Sequence, residues 1–256
     1  MVADPLFDLT GRIALVLGAS RGIGEATAQL LAAHGAHVWV TSRKGEACER
    51  VAAAVRDSGG QATVSACHAG EPEQINALFA KIRAAHGRLD ILVNNAATNP
   101  YFGPIVDADM DAFQKTMDVN VRGYMLASMH AAKMMLAHGS GSIVNVSSVA
   151  GVTPAANRGV YSITKAAIIS MTKAFAKECA PRGVRVNALL PGAVETRFAA
   201  ATLASAETRA KALEHVPMNR IAAPEEIAAS ILYLASDAAS YTTGACLNAD
   251  GGYLLV

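Results

Sequence analysis

The chain has 256 residues, enough for one large α/β domain with a sizeable core. Its net charge of +1, without a basic run or aromatic-basic interleaving, argues against a nucleic-acid partner; four scattered cysteines with no CxxC pair and seven histidines with no ligand spacing argue for reduced thiols and no metal. Charged residues reach only 17%, against about 25% in a typical domain, which points to surface buried in a homo-oligomer, and the lack of a basic leader or of ~18 successive apolar residues points to a soluble, cytoplasmic protein with no membrane partner.

In chain order, Ile13-Ala-Leu-Val-Leu17 is an apolar run ending at Gly18, followed by Ala-Ser20-Arg21-Gly22-Ile23-Gly24 and a helical pattern through Thr27, Leu30 and Leu31 that Gly35 closes. This predicts a strand, a glycine turn and a helix whose bare N–H groups suit a pyrophosphate, although a purely structural turn would read the same by itself. The next strand, 37–41, ends at Ser42-Arg43-Lys44. Dinucleotide folds that prefer NAD usually place an acid there for the ribose 2′-hydroxyl. With no acid present, Ser42, Arg43 and Arg21 predict a clamp on a 2′-phosphate, hence NADP(H) rather than NAD(H), the alternative being ordinary surface arginines.

A polar helix at 44–57 and a strand at 62–67 come next, then a helix after Pro72 with Ile75, Leu78, Phe79 and Ile82 on one face, and a strand at 89–93 leading into Asn94-Asn95-Ala96-Ala97. Two helices near 107–117 and 119–137 precede a strand at 142–146 and Ser147-Ser148. After a helix at 159–180, a strand at 184–190 is closed by Pro191-Gly192. Residues 195–220 turn Ala-rich and weakly patterned, which predicts a lid over the crevice or, equally, two surface helices. A last helix opens at Pro224 and a final strand lies at 246–249. Alternating strands and helices with no linker or repeat predict an α/β fold, a doubly wound parallel sheet covered on both faces, in a single domain spanning 1–256.

Within the helix at 159–180, Tyr161 and Lys165 stand four residues apart and so share a face, with Ser148 thirteen residues upstream of the tyrosine. A phenol titrates near 10, and a neighbouring cation favours its phenolate. Tyr161 is a candidate general acid or base, with Ser148 a neutral donor to the same substrate oxygen, although a Tyr and a Lys on an ordinary amphipathic helix would read the same by themselves.

Gly18-x-x-x-Gly22-x-Gly24, Asn94-Asn95-Ala96, Asn120, Ser148, Tyr161-x-x-x-Lys165 and Pro191-Gly192 with Thr196 occur in the order and spacing of the short-chain dehydrogenase/reductase family, which the whole chain resembles. The resemblance implies a single Rossmann domain, a catalytic set of Asn120, Ser148 (with Ser147 as the fallback), Tyr161 and Lys165, and a tetramer. It also implies cofactor contacts from the glycine turn, Asn95, Ala96, Tyr161, Lys165, Pro191, Gly192, Val194 and Thr196. In it, Lys165 grips the nicotinamide ribose and Asn120 holds a water linking that lysine to solvent. Leu17 stands where the family usually has Thr, Ala97 where it has Gly, and His68 where most members carry an adenine-facing Asp. Cys67-His68, Asn99-Pro100-x-Phe102-Gly103 and Ser42-Arg43-Lys44 look closest to its NADPH-dependent carbonyl and retinal reductases.

The expected activity is thus hydride transfer between NADP(H) and a ketone, aldehyde or secondary alcohol. A fatty-acid type 3-oxoacyl-thioester reductase and a non-catalytic dinucleotide-binding regulator are the alternatives. The expected pocket wall, 98–102, 149–157 and the stretch after Thr196, includes Tyr101, Asn157 and Arg197 but no charged cluster, so a medium-sized, mostly neutral carbonyl compound is expected.

Overall fold

In the computed structural model, residues 4–199 and 205–255 are described. Among them a seven-stranded sheet runs in the order β3-β2-β1-β4-β5-β6-β7, every pairing parallel. The strands are β1 (Ile13–Leu17), β2 (His37–Ser42), β3 (Gln61–Ala66), β4 (Ile91–Asn94), β5 (Gly141–Val146), β6 (Val184–Pro191) and β7 (Cys246–Ala249). Helices α1 (Gly22–Ala33), α2 (Gly45–Asp57), α3 (Pro72–His86), α4 (Met110–Met117), α5 (Gly123–His138), α6 (Gly159–Cys179), α7 (Ala206–Leu213) and α8 (Pro224–Ala235) join them.

A parallel strand with helices on both faces has no polar side, and β1 shows why its sequence is apolar without alternation. Ala14 and Val16 point into a core shared with Leu31 of α1, Val51 of α2 and Ile231 of α8. Ile13, Leu15 and Leu17 point the other way, against Ile75 and Leu78 of α3, Ala131 of α5 and Ala176 of α6. The two cores are thus the two parities of one strand.

One expectation is corrected. The helices near 107–117 and 119–137 are one continuous rod: α4 begins at Met110, its backbone stays helical through a π turn over Asp118–Arg122, and α5 continues without a break. A π turn inside an α-helix inserts one residue and rotates every later residue about the axis, and here it carries Asn120. Among the described residues of 195–220, Ala206–Leu213 form α7, whose N-cap Ser205 accepts from Thr208 N, and Val194 pairs with Ala222. Residues 200–204 of the expected lid lie outside the described residues.

Strand order reverses between β1 and β4, and a crevice opens beyond the carboxyl ends of a parallel sheet where that happens. Asn95, just past β4, donates its backbone N–H to Leu17 O (3.1 Å) and its Nδ2 to Gly18 O (2.9 Å), fixing the shape of that opening.

Candidate active site

A cleft of about 490 Å³ lies over the carboxyl ends of β1, β2, β4, β5 and β6. At its first end the chain leaves β1 through Gly18, whose N–H donates to Thr41 O (2.8 Å). Gly18 has φ +85°, and a methyl group there would lie 2.7 Å from Ala96 Cα. At Gly24 an added Cβ would strike the Gly18 carbonyl, so this glycine allows α1 to start close to β1; it does not line the cleft. Gly18, Ser20, Arg21, Gly22 and Ile23 do line it, and Arg21, the N-cap of α1, makes no side-chain capping bond, so the first amides of α1 face the cleft uncapped. These features fit a bound dinucleotide, whose pyrophosphate needs bare amides at a helix N-terminus.

Ser42 and Arg43 line the same end. Ser42 Oγ is engaged locally, accepting from Lys44 N (3.2 Å) and from Cys48 Sγ (3.1 Å). Arg21 and Arg43 are exposed, and neither forms an ion pair with another described residue. His68 also lines the cleft, its Nδ1 accepting from Gly70 N (3.1 Å).

At the other end, β5 runs into Ser147 and Ser148, and α6 brings Tyr161 and Lys165 opposite them. The two serines separate cleanly. Ser147 is buried and its Oγ donates to Lys165 O (2.8 Å), whereas Ser148 lines the cleft, its Oγ accepts from Ala150 N (3.2 Å), and its hydroxyl is near enough to the Tyr161 phenol to pull its titration down. Lys165 is 1% exposed; its Nζ donates to Val146 O (2.8 Å) and sits 5.4 Å from the Tyr161 ring centroid and 5.6 Å from that of Tyr124.

Burial dominates the titration of this pair. It pushes the Tyr161 phenol up to about 12, against the smaller downward pulls of the Arg158 charge and the Ser148 hydrogen bond, and it pushes Lys165 down to about 7. Desolvation thus outweighs the downward pulls on the phenol, among which the sequence had not singled out the Arg158 charge.

Asn120 is buried behind the cleft. Its Oδ1 accepts from Thr98 N (2.9 Å), and its Nδ2 donates to Thr98 O (3.0 Å) and Thr164 Oγ1 (3.1 Å), so its side chain clamps the loop after β4 to α6. Beneath it, Asn94 Nδ2 donates to Asn145 Oδ1 (2.8 Å) and Ser128 Oγ (3.1 Å), and Asn145 Nδ2 donates to Thr172 Oγ1 (2.9 Å). This fully buried chain ties β4, β5, α5 and α6 together and holds the helix that carries Tyr161. Asn95, Ala96, Pro191, Gly192, Val194 and Thr196 complete the lining, and the Phe198 ring lies 5.8 Å from that of Tyr161.

A family model described as Enoyl-(Acyl carrier protein) reductase matches residues 18–254. The chain is 38% identical to Dehydrogenase/reductase SDR family member 4 of Homo sapiens, over 97% of this chain and 88% of that protein. The short-chain dehydrogenase/reductase family is where this chain belongs. It is also 40% identical to a cis-4-hydroxycyclohexanecarboxylate dehydrogenase of Sinomonas cyclohexanicum, covering 96% of this chain and 97% of the relative. A solved gluconate 5-dehydrogenase from Burkholderia cenocepacia J2315 in complex with NADP and tartrate superposes with a TM-score of 0.94 at 31% identity, each chain covered to 98%.

As a short-chain dehydrogenase/reductase, the chain is an oxidoreductase that acts on small molecules and uses a nicotinamide dinucleotide. Among the described residues no helix is long and apolar enough to cross a membrane, and no cluster of three or more His, Cys, Asp or Glu side chains could hold a metal ion. Of the expected wall, Thr98 and the stretch 196–199 line the cleft whereas 99–102 and 149–157 do not; Tyr101 donates its hydroxyl to Pro104 O (2.7 Å) within its own loop. The residues that sequence reasoning missed are Arg158, Lys115 and the buried Asn94, Asn145 and Thr172 chain. Arg158 stands only three positions before Tyr161 and is legible in hindsight, whereas the buried chain is scattered over three elements and has no spacing to read.

Proposed function

We propose that this enzyme moves hydride between NADP(H) and a ketone, aldehyde or secondary alcohol, with Tyr161 as the general acid or base. The observation that carries the reading is the meeting of the Tyr161 phenol, the Ser148 hydroxyl and the buried Lys165 ammonium at one end of a cleft whose other end is a glycine turn. Bound there, NADPH supplies the hydride that converts the carbonyl carbon to an alcohol carbon.

Ser148 donates to the substrate oxygen as negative charge grows on it, and Tyr161 hands over its proton. A phenol held protonated through neutral pH is loaded for this, and an alkoxide is a far stronger base than a phenolate. Lys165 stabilises the resulting phenolate and grips the nicotinamide ribose, and Asn120 holds the water through which Lys165 recovers a proton from solvent. In alcohol oxidation the same groups run in reverse. Hydrogen-bond donors meet the developing charge, so the reading invokes no metal.

Arg21 in the glycine turn and Arg43 just after β2, with no carboxylate in the described lining, support NADP(H) over NAD(H). The relatives described as dehydrogenases of hydroxycyclohexanecarboxylate and of gluconate support an alcohol as the reduced partner. Exposed Met125 and Met129 on α5 and Ile163 on α6 give these helices an apolar outer face suited to subunit packing in a homotetramer, for which sedimentation is the check. The stretch 195–220, of which 200–204 lie outside the described residues, is assigned the role of a lid. We also assign the protein to the cytoplasm.

The deciding experiment is loss of NADPH absorbance with a panel of aldehydes, ketones and acetoacetyl-CoA, repeated with NADH. Turnover of ketones with NADPH supports the reading. Turnover confined to the thioester makes the chain an acyl-thioester reductase, and cofactor binding without any turnover makes it a dinucleotide-binding regulator.

A further inference from the structure

A dinucleotide carries one nucleoside on each side of its pyrophosphate. With the pyrophosphate at the glycine turn after β1 and the nicotinamide beside Tyr161 and Lys165, the second nucleoside falls on the other side of β1, over the ends of β2 and β3. Two steps of about 4.8 Å put the end of β3 roughly 10 Å from that of β1. Cys67, His68 and Ala69, which follow β3, all line the cleft there. Cys67 is buried and Ala69 has no polar side-chain atom, so His68 is the side chain placed to hydrogen-bond with the base.

We propose that His68 reads the base of that nucleoside as a hydrogen-bond donor, through Nε2–H, so that the site takes a 6-oxopurine about as readily as adenine. This inference rests on the dinucleotide reading above and names what the outer nucleoside meets. The amide of Gly70 donates to His68 Nδ1 (3.1 Å); an amide only donates, so Nδ1 is the bare nitrogen and Nε2 bears the hydrogen. No described residue pairs with Nε2. The ring is held from behind. His68 N donates to Gln74 Oε1 (2.8 Å) at the start of α3, and Arg122 Nη2 donates to Gly70 O (2.9 Å). A Cβ on Gly70 would sit 3.1 Å from His68 Cε1 and 3.0 Å from Cγ2 of Val119, another lining residue, so only a glycine lets the turn close this tightly on the ring. A donor so fixed selects for acceptors. Adenine offers ring nitrogens as acceptors and a 6-amino group as donor, whereas hypoxanthine keeps the acceptor N7 and carries an acceptor oxygen in place of the amino group. A carboxylate at this position would reward the amino group and repel the oxygen, but the described lining holds no aspartate or glutamate. Nε2–H meets a ring nitrogen or the oxygen equally well.

The test measures dissociation constants by calorimetry for NADP⁺ and its deamino analogue, nicotinamide hypoxanthine dinucleotide phosphate, in the wild type, His68→Asp and His68→Phe. Thermal melting checks that each variant is folded. The wild type should bind the two dinucleotides within about fivefold of each other, less than one hydrogen bond to a charged group is worth. His68→Asp should favour the adenine form by at least about tenfold, and His68→Phe should weaken both by about 3–10-fold, as for one lost neutral hydrogen bond. If neither variant folds, the wild-type ratio alone decides. A wild type that prefers adenine by more than that margin, an unchanged ratio in His68→Asp, or unweakened binding in His68→Phe would overturn the donor role. Each of those results leaves the dinucleotide site standing and makes the ring a local brace for the β3–α3 turn. If the wild type binds neither dinucleotide, the cofactor reading falls and this inference falls with it.

Discussion

The two ends of the cleft are built on opposite physical plans. The glycine-turn end relies on bare backbone, with uncapped amides at the start of α1 and exposed arginines at its rim. The Tyr161 end relies on side chains stripped of water: Lys165 is 1% and Tyr161 7% exposed, and both have titrations displaced by burial. The first plan costs little stability, because an exposed arginine keeps its hydration until a ligand arrives. The second holds an ammonium in a water-poor site where it is worth less to the fold than a methyl group would be. Changes at the first end should therefore read out as cofactor affinity, and changes at the second as turnover coupled inversely to stability.

The largest expected effect is at Lys165. Lys165→Met should abolish most turnover and yet raise the stability of the cofactor-free protein by a few kcal/mol, on the order expected for removing a buried charge. The sign follows from the depressed titration: below about 7 the native state carries the charged, desolvated lysine, and between about 7 and the ordinary lysine value of 10.5 the unfolded state binds the extra proton. Wild-type stability should thus rise with pH across that window through this group, and the gain in the variant should be largest below it and fade above it. Thermal denaturation of both proteins from acid to alkaline pH is the check, and a destabilised variant at all pH values would break the contrast between the two ends.

A smaller effect is expected at the other end. Arg43→Ala should weaken NADPH binding by about 1.5–3 kcal/mol, or roughly 10–100-fold, with little change for NADH and none in the stability of the free protein. Titration of cofactor fluorescence measures it, and equal losses for the two cofactors would show that this arginine does not read the 2′-phosphate.

The smallest effect sharpens the electrostatics around Tyr161. Ketone reduction needs the phenol protonated, so kcat/KM should hold through neutral pH and fall on an alkaline limb. Since the Arg158 charge lowers the phenol's titration, Arg158→Ala should move that limb to higher pH by a fraction of a unit. A shift toward lower pH would mean that the two groups are not coupled as described.

Much of this was legible from the chain. The apolar run of β1, the glycine turn and the ladder of alternating strands come from periodicity, because a strand buried on both faces leaves a continuous hydrophobic signature. Tyr161, Lys165 and Ser148 could be placed together because one helix and one strand end carry them. The uninterrupted rod from Met110 to His138 was not legible, since a π turn preserves local helical composition while changing the phase that periodicity measures. Nor was the buried Asn94, Asn145 and Thr172 chain, whose members meet only when three elements pack. The direction of the Tyr161 titration also escaped, because i,i+4 spacing reveals a neighbouring cation but not the depth at which the pair is buried.

The central claim is that one desolvated phenol moves the proton. Its most direct test is Tyr161→Phe, assayed for both NADPH affinity and kcat with a reducible ketone. The account predicts a loss of about 10²–10⁴-fold or more in kcat with cofactor affinity nearly intact. A variant that retains near-normal kcat, or that loses activity only because NADPH no longer binds, would contradict it.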